Sequence, residues 1–366
     1  MVTPVPIPNT EVKHFSGENS YACHSEDSAS PVYRLPLNKG AFLYLLSLWY
    51  NRHPKRVKVS SLHERMSFFM FYGKYEVIKV LDYGWSDDQK YLIQDYSGNK
   101  YLLRRSPESK KQHAQDEFGL VQRLRNMGLN VHEPIEMIAQ QDNERIYRWI
   151  DGNMLQDVII ELSPKHQYEL GMHAGISLRA IHSLKLEAEE MEWASYYRER
   201  VMKKIENYRQ CGIKLEQDDI LIQWICSYEH VLDSRPITHQ HGDYHPGNMV
   251  LTSNCDLFSI DFDRHSIGDP WEEFNRIAWS AKISPLFASG QIDGYFTDEI
   301  PEDFFKLLKY YLAVNALGSI PWAIKFGETE LNVMIEQAQL ILNWYPDEDQ
   351  IIPNWYVSGV DAIKIR

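Results

Sequence analysis

From about residue 66 apolar and polar positions fall into regular patterns, strand-like at first and mainly helical later. Residues 75–81 (YEVIKVL), 90–96 (KYLIQDY) and 100–104 (KYLLR) read as strands rich in β-branched and aromatic side chains. Residues 82–88 join the first two, and Ser97-Gly98 turns the second into the third. Over 110–127 the spacing becomes helical, with Phe118, Val121 and Leu124 on one face. Beyond residue 151 helical spacing dominates. Ser163 followed by Pro164 signals the start of a helix through Leu170, Ala174, Leu178 and Ile181, in which Gly171 and Gly175 permit close packing. The apolar runs 249–251 (MVL) and 257–260 (LFSI) interrupt this half and flank a polar turn, as in a hairpin. Residues 287–345 return to helices. The expectation is an α+β fold: an antiparallel sheet with one helix over 63–150, then a mainly helical part over 151–366.

Residues 1–62 stand apart from both. They are rich in Pro, Ser and His, carry a basic patch (Arg52, His53, Lys55, Arg56, Lys58) and show little periodicity, so they read as an extension of open role. Elsewhere the composition is that of a globular protein, 44% hydrophobic and 24% charged, with length for one or two sizeable cores. The net charge of -13 argues against a nucleic-acid partner and suits a cationic small substrate. Four cysteines without regular spacing look like free thiols of a reducing compartment. The longest early apolar run, 41–50, is about half a membrane span. A cytoplasmic protein without a membrane partner is the expectation.

Chemistry concentrates in 241–248 (HGDYHPGN) and 260–263 (IDFD). The hairpin between them brings Asn248 and Asp261 to one end, with Asp243 on the loop leading in. Phosphoryl transfer needs hard oxygen ligands for Mg²⁺ and a separate carboxylate to orient the attacking hydroxyl, and these three side chains supply that set. A zinc reading competes. His239, His241, Asp243 and His245 nearly form an alternating metal motif, but Tyr244 occupies the position directly after Asp243 where a histidine is needed.

The two motifs, in this order and at this distance, resemble the aminoglycoside phosphotransferase/choline kinase family, and the resemblance extends from about residue 83 to 345. It implies a bilobal protein-kinase-like fold, an antiparallel sheet lobe and a helical lobe, that binds ATP or GTP with Mg²⁺ between them. Asp243 would then be catalytic, Asn248 and Asp261 would hold Mg²⁺, His241 would brace the loop, and Asp263 would be a supporting acid. Arg104 stands where relatives carry a phosphate-binding lysine; Lys90 is a helper, and Glu117 the acid that pairs with this cation. Gly84 and Ser86 would cover the phosphates. Main-chain groups near Arg148 and Ile150 would hold the purine in the hinge 146–152. Glu272 and Glu273 would meet the substrate's ammonium groups, helped by an acid- and aromatic-rich tail (Asp293, Asp298, Glu299, Glu302, Asp303, Tyr295, Phe296, Trp322). An aminoglycoside-like antibiotic is the first expectation for the acceptor; choline, an amino acid, a sugar or a macrolide would use the same core. The arginine at 104 also keeps open a nucleotide-binding regulatory protein without transferase activity. The oligomeric state is left open.

Overall fold

A computed structural model describes residues 74–81, 87–138, 143–187 and 191–359, all within one compact unit, Val57–Arg366. The N-terminal extension, Gly84 and Ser86 lie outside the described residues. Five strands form the first sheet: β1 (Tyr75–Val80), β2 (Gln89–Asp95), β3 (Lys100–Arg105), β4 (Pro134–Met137) and β5 (Glu144–Arg148). Their order is β1-β2-β3-β5-β4, with every neighbouring pair antiparallel. Alternation aims Ile93, Leu103 and Ile146 into a small core, while the opposite face carries charge. Helix α1 (Lys111–Asn126) buries Leu120, Val121 and Leu124 on one face, and with them Glu117.

The chain leaves this sheet through β6 (Gly152–Met154), a short helix α2 (Leu155–Val158) and α3 (Pro164–His182). The Ser163 hydroxyl accepts from the His166 amide at 3.3 Å and caps α3, as the Ser-Pro signal predicts. Then follow α4 (Trp193–Gln210) and α5 (Asp218–Tyr228). Next come β7 (Thr238–Gln240), the hairpin β8 (Met249–Thr252) and β9 (Leu257–Ser259), and β10 (Ser266–Gly268). Finally α6 (Ile277–Ile283), α7 (Pro285–Phe296), α8 (Glu302–Ile324) and α9 (Glu328–Asn343) complete the helical part. Fourteen of the α8 side chains are buried, which makes it the centre of the larger core. No helix among the described residues is long and apolar enough to cross a membrane.

Below the hairpin, α3 and α7 meet backbone to backbone. A Cβ on Gly171 would stand 2.2 Å from the Phe287 carbonyl oxygen, and one on Gly294 2.2 Å from that of Met172. The Tyr244 hydroxyl donates to the Ala174 carbonyl at 2.9 Å and ties the loop 241–248 to this floor.

Candidate active site

β7 delivers the chain into the loop at His241, which is fully buried. Its Nε2 meets the Ile260 carbonyl at 2.9 Å, and its Nδ1 accepts from the Asp243 amide at 3.2 Å. These two bonds are consistent with a neutral ring protonated at Nε2, and they tie the loop to the strand that ends at Asp261. Gly242 has φ +83°, and a Cβ there would lie 1.9 Å from the Arg264 carbonyl oxygen, so only glycine makes this turn. The Gly242 amide donates to both oxygens of Glu273, each at 3.0 Å.

Asp243 projects from this turn into the cleft. Its carboxylate lies 3.1 Å from Arg276 Nε, 3.7 Å from His245 Nε2 and 3.9 Å from Arg264 Nε. Burial opposes its charge, yet His245 and the two arginines beside it hold the carboxyl well below the usual range. An ionised carboxylate of low basicity suits orientation of a hydroxyl until late in proton transfer. Asn248 donates from Nδ2 to the Asp243 carbonyl at 2.9 Å, so its amide oxygen is the atom that could face a cation. The Asn248 carbonyl accepts from the Ile260 amide at 2.9 Å, which brings Asp261 alongside. Asp261 itself has φ 63°, a left-handed conformation uncommon outside glycine and typical of sites that aim a side chain.

Above this group the charged face of the sheet comes down. Lys90, Arg104 and Arg145 are direct cross-strand partners on β2, β3 and β5 and therefore share one face. Three adjacent cations would repel one another; four acids from three segments offset them. Arg104 Nη1 meets Glu117 at 3.2 Å and Asp261 at 2.9 Å, and its Nη2 meets Asp88 at 2.8 Å and Asp263 at 3.5 Å. Arg145 Nη2 binds Glu117 at 2.9 Å and Asp88 at 3.0 Å. Lys90 Nζ reaches the second oxygen of Asp261 at 3.3 Å. Burial works against the Asp261 charge, but Arg104 and Lys90 outweigh it and hold the carboxyl well below its usual range. Arg105 faces the other way and pairs with Glu144.

Asp261 and Asn248 fit Mg²⁺ better than zinc. Mg²⁺ takes one or two carboxylates and completes its shell with phosphate and water, whereas zinc needs a closed set of protein ligands. Among the described residues no group of three or more His, Cys, Asp or Glu converges on a metal position. The His241 ring is spent on the loop, and His239 lies near Arg123, so the alternating histidines do not assemble.

A cleft of about 540 Å³ opens in front of Asp243, Asn248, Asp261 and Asp263. Its far wall comes from Gly318, Ser319 and Trp322 on α8, Glu330, Val333 and Met334 on α9, and Lys204 on α4. Such a volume suits a small-molecule acceptor.

The sequence pattern of the phosphotransferase enzyme family (APH) matches residues 77–305, which hold the sheet, the loop and Asp261. The chain belongs to this family. Its fold resembles solved structures at low identity. The streptomycin–ATP complex of APH(2")-IIa is 17% identical, with TM-score 0.54, over 78% of this chain and 97% of that one. Amicoumacin kinase hAmiN is 15% identical, with TM-score 0.57 over 81% and 96%. Plasmodium vivax ethanolamine kinase is 13% identical, with TM-score 0.52 over 85% and 94%. No curated protein sequence matches. The shared architecture is a bilobal α+β kinase-like fold.

Several residues expected at the family's substrate and purine positions are placed otherwise. Glu273 is 2% exposed and holds the Gly242 amide, with His182 Nε2 3.9 Å away, so it braces the loop. Glu272 turns toward Tyr197, Gln240 and Asn275 at 3.1–3.4 Å, and burial pushes its carboxyl up. Asp293 accepts from Tyr168 and Tyr356 at 2.7 and 2.5 Å, while Glu302 and Asp303 pair with Lys306 at 2.8 and 3.1 Å. Of the acids and aromatics expected from the tail, only Trp322 lines the cleft. At the hinge, Arg148 N–H bonds the Glu133 carbonyl at 2.9 Å and Trp149 N–H that of Lys100 at 3.1 Å. Neither amide is free for a purine, and the Arg148 side chain pairs with Glu133 at 2.5 Å.

Arg145, Asp88, Arg264 and Arg276 join the site without having been singled out from sequence. If Glu273 is a brace, Glu273→Ala strands the Gly242 amide in the interior and costs about 2–4 kcal/mol of stability. Thermal melting should show that loss together with a lower kcat. A substrate-binding Glu273 would instead raise the acceptor KM and leave the melting temperature in place.

Proposed function

We propose that this protein transfers the γ-phosphoryl group of ATP, or GTP, to a hydroxyl of a small molecule. The observation that carries this is that Asp243, Asn248 and Asp261 line one cleft while the cations Lys90 and Arg104 meet Asp261 from the sheet side. Asp243 orients the acceptor hydroxyl and takes its proton. Asn248 and Asp261 hold the Mg²⁺, which when bound neutralises the phosphates. Lys90 and Arg104 face the nucleotide phosphates, with Glu117 setting the position of Arg104; Ser86 would add a hydroxyl from the loop over them. His241 and Asp263 support the loop and the metal aspartate. Relatives of similar fold solved with ATP, GDP or AMP-PNP support the nucleotide assignment.

The acceptor is a further question. Similar structures solved with streptomycin, gentamicin or kanamycin make an aminoglycoside-like substrate, and with it a part in antibiotic resistance, one of the acceptors to test. The amicoumacin and ethanolamine kinases show comparable similarity. ADP formation measured with and without Mg²⁺, over a panel of hydroxyl compounds, tests the function. Metal-dependent turnover stimulated by one acceptor is the expected result. Nucleotide binding without stimulated turnover by any of them would favour the regulatory reading.

A further inference from the structure

The cleft wall opposite the nucleotide side is not acidic. Among the described lining residues, Glu330 is the one carboxylate besides Asp243, Asp261 and Asp263, whereas Lys204, Arg264 and Arg276 are cations. Arg276 and Arg264 stand 3.1 and 3.9 Å from Asp243, beside the position a transferred phosphoryl group must occupy. Lys204 belongs to the acceptor side. Its stem packs along α8, where a Cβ on Gly318 would stand 3.1 Å from Lys204 Cδ. Its Nζ forms no ion pair or hydrogen bond among the described residues, and lies 5.9 Å from the centre of the Tyr197 ring. Glu272 attracts it from a distance but turns its oxygens to Tyr197, Gln240 and Asn275. A half-buried ammonium without a counter-ion is unfavourable unless a ligand supplies one. The far wall also offers the apolar side chains of Trp322, Val333 and Met334, interspersed with Asn315, Ser319 and Gln337.

We propose that the acceptor carries one anionic group, a carboxylate or phosphate, that pairs with Lys204, and an apolar segment that lies against Trp322, Val333 and Met334. This rests on the kinase reading above and excludes a polycation, for which Glu330 is a single counter-charge. In the reaction the acceptor oxygen bonds to the γ-phosphorus as the bridge bond to the β-phosphate breaks. The nucleoside diphosphate leaves with that electron pair, and the hydroxyl proton passes to Asp243.

Steady-state ADP release with Mg-ATP, on the full chain, tests this with matched acceptors. Pantothenate against panthenol isolates a carboxylate, glycerol 3-phosphate against glycerol isolates a phosphate, and kanamycin supplies a polycation. The anionic member of at least one pair should exceed its neutral partner and kanamycin about tenfold or more in kcat/KM. Lys204→Met keeps the aliphatic stem; it should erase that preference through the acceptor KM rather than the nucleotide KM, and Lys204→Arg should restore it. Equal turnover within both pairs, a lead for kanamycin, or a preference unchanged in a folded Lys204→Met would overturn the inference while leaving the kinase reading intact. No turnover of any acceptor would overturn both.

Discussion

Asp243→Ala is expected to lower turnover by about 10²–10⁴-fold while nucleotide binding persists. The Asp243 carboxylate lines the cleft beside Asn248 and, unlike Asp261, is not engaged by the sheet's cations. Its contacts are Arg276, His245 and Arg264. Removing it leaves Asn248, Asp261 and the sheet in place, so the nucleotide site survives. Coupled turnover at saturating acceptor gives kcat, and fluorescence titration with a nucleotide analogue gives the binding constant. Full turnover in the variant would refute the assignment of Asp243 as the residue that handles the hydroxyl. Asp261→Ala should behave differently, weakening Mg-nucleotide binding as well.

Arg104→Ala is the second large effect, and it should register first in stability. The guanidinium is 2% exposed and reaches Asp88, Glu117, Asp261 and Asp263. Deleting it leaves buried carboxylates facing one another, at a cost of about 3–5 kcal/mol. Lys90→Ala removes only one contact, 3.3 Å from an oxygen of Asp261, and should cost about 1 kcal/mol or less while raising the nucleotide KM. Thermal melting beside nucleotide titration separates the two. Equal melting shifts in both variants would refute this division. A lysine in place of Arg104 cannot span the same acids, because an ammonium lacks the planar fork that addresses several carboxylates at once.

Much of this site was legible in the chain because it is local. Asp243, Asn248 and Asp261 lie within 19 residues, and strand period and turn chemistry bring them together without long-range information. Strands β1, β2 and β3 and the helix that carries Glu117 were legible for the same reason, whereas β4 and β5 were not read as strands of the sheet. Arg145 was not. It enters only because β3 and β5 pair in a register that sets it opposite Arg104, and no pattern within 144–148 carries that register. Lys204 likewise depends on how α4 is rotated against α8. The acids of the tail show the converse error. Their composition suggested an acidic pocket for a cation, but helix rotation directs Asp293 to two tyrosines, and Asp298 and Glu299 lie exposed in the loop between α7 and α8. Glu273 reads in sequence as an acid for the substrate's ammonium groups. Burial and the Gly242 amide give it another task, and neither can be seen without the fold.

The backbone contact between α3 and α7 bears on how such a protein can change its substrate. At Gly171, Gly175, Gly290 and Gly294 an added methyl would fall within 2.2 Å of a main-chain oxygen, so this part of the helical core tolerates no drift. The Tyr244 hydroxyl hangs the catalytic loop from that same floor. Trp322, Val333 and Met334 stand across the cleft on α8 and α9, where exchange of side chains reshapes the cavity without touching the floor. Chemistry and selectivity are therefore separable here. A new acceptor can be accommodated on the far wall while the transfer machinery stays in register.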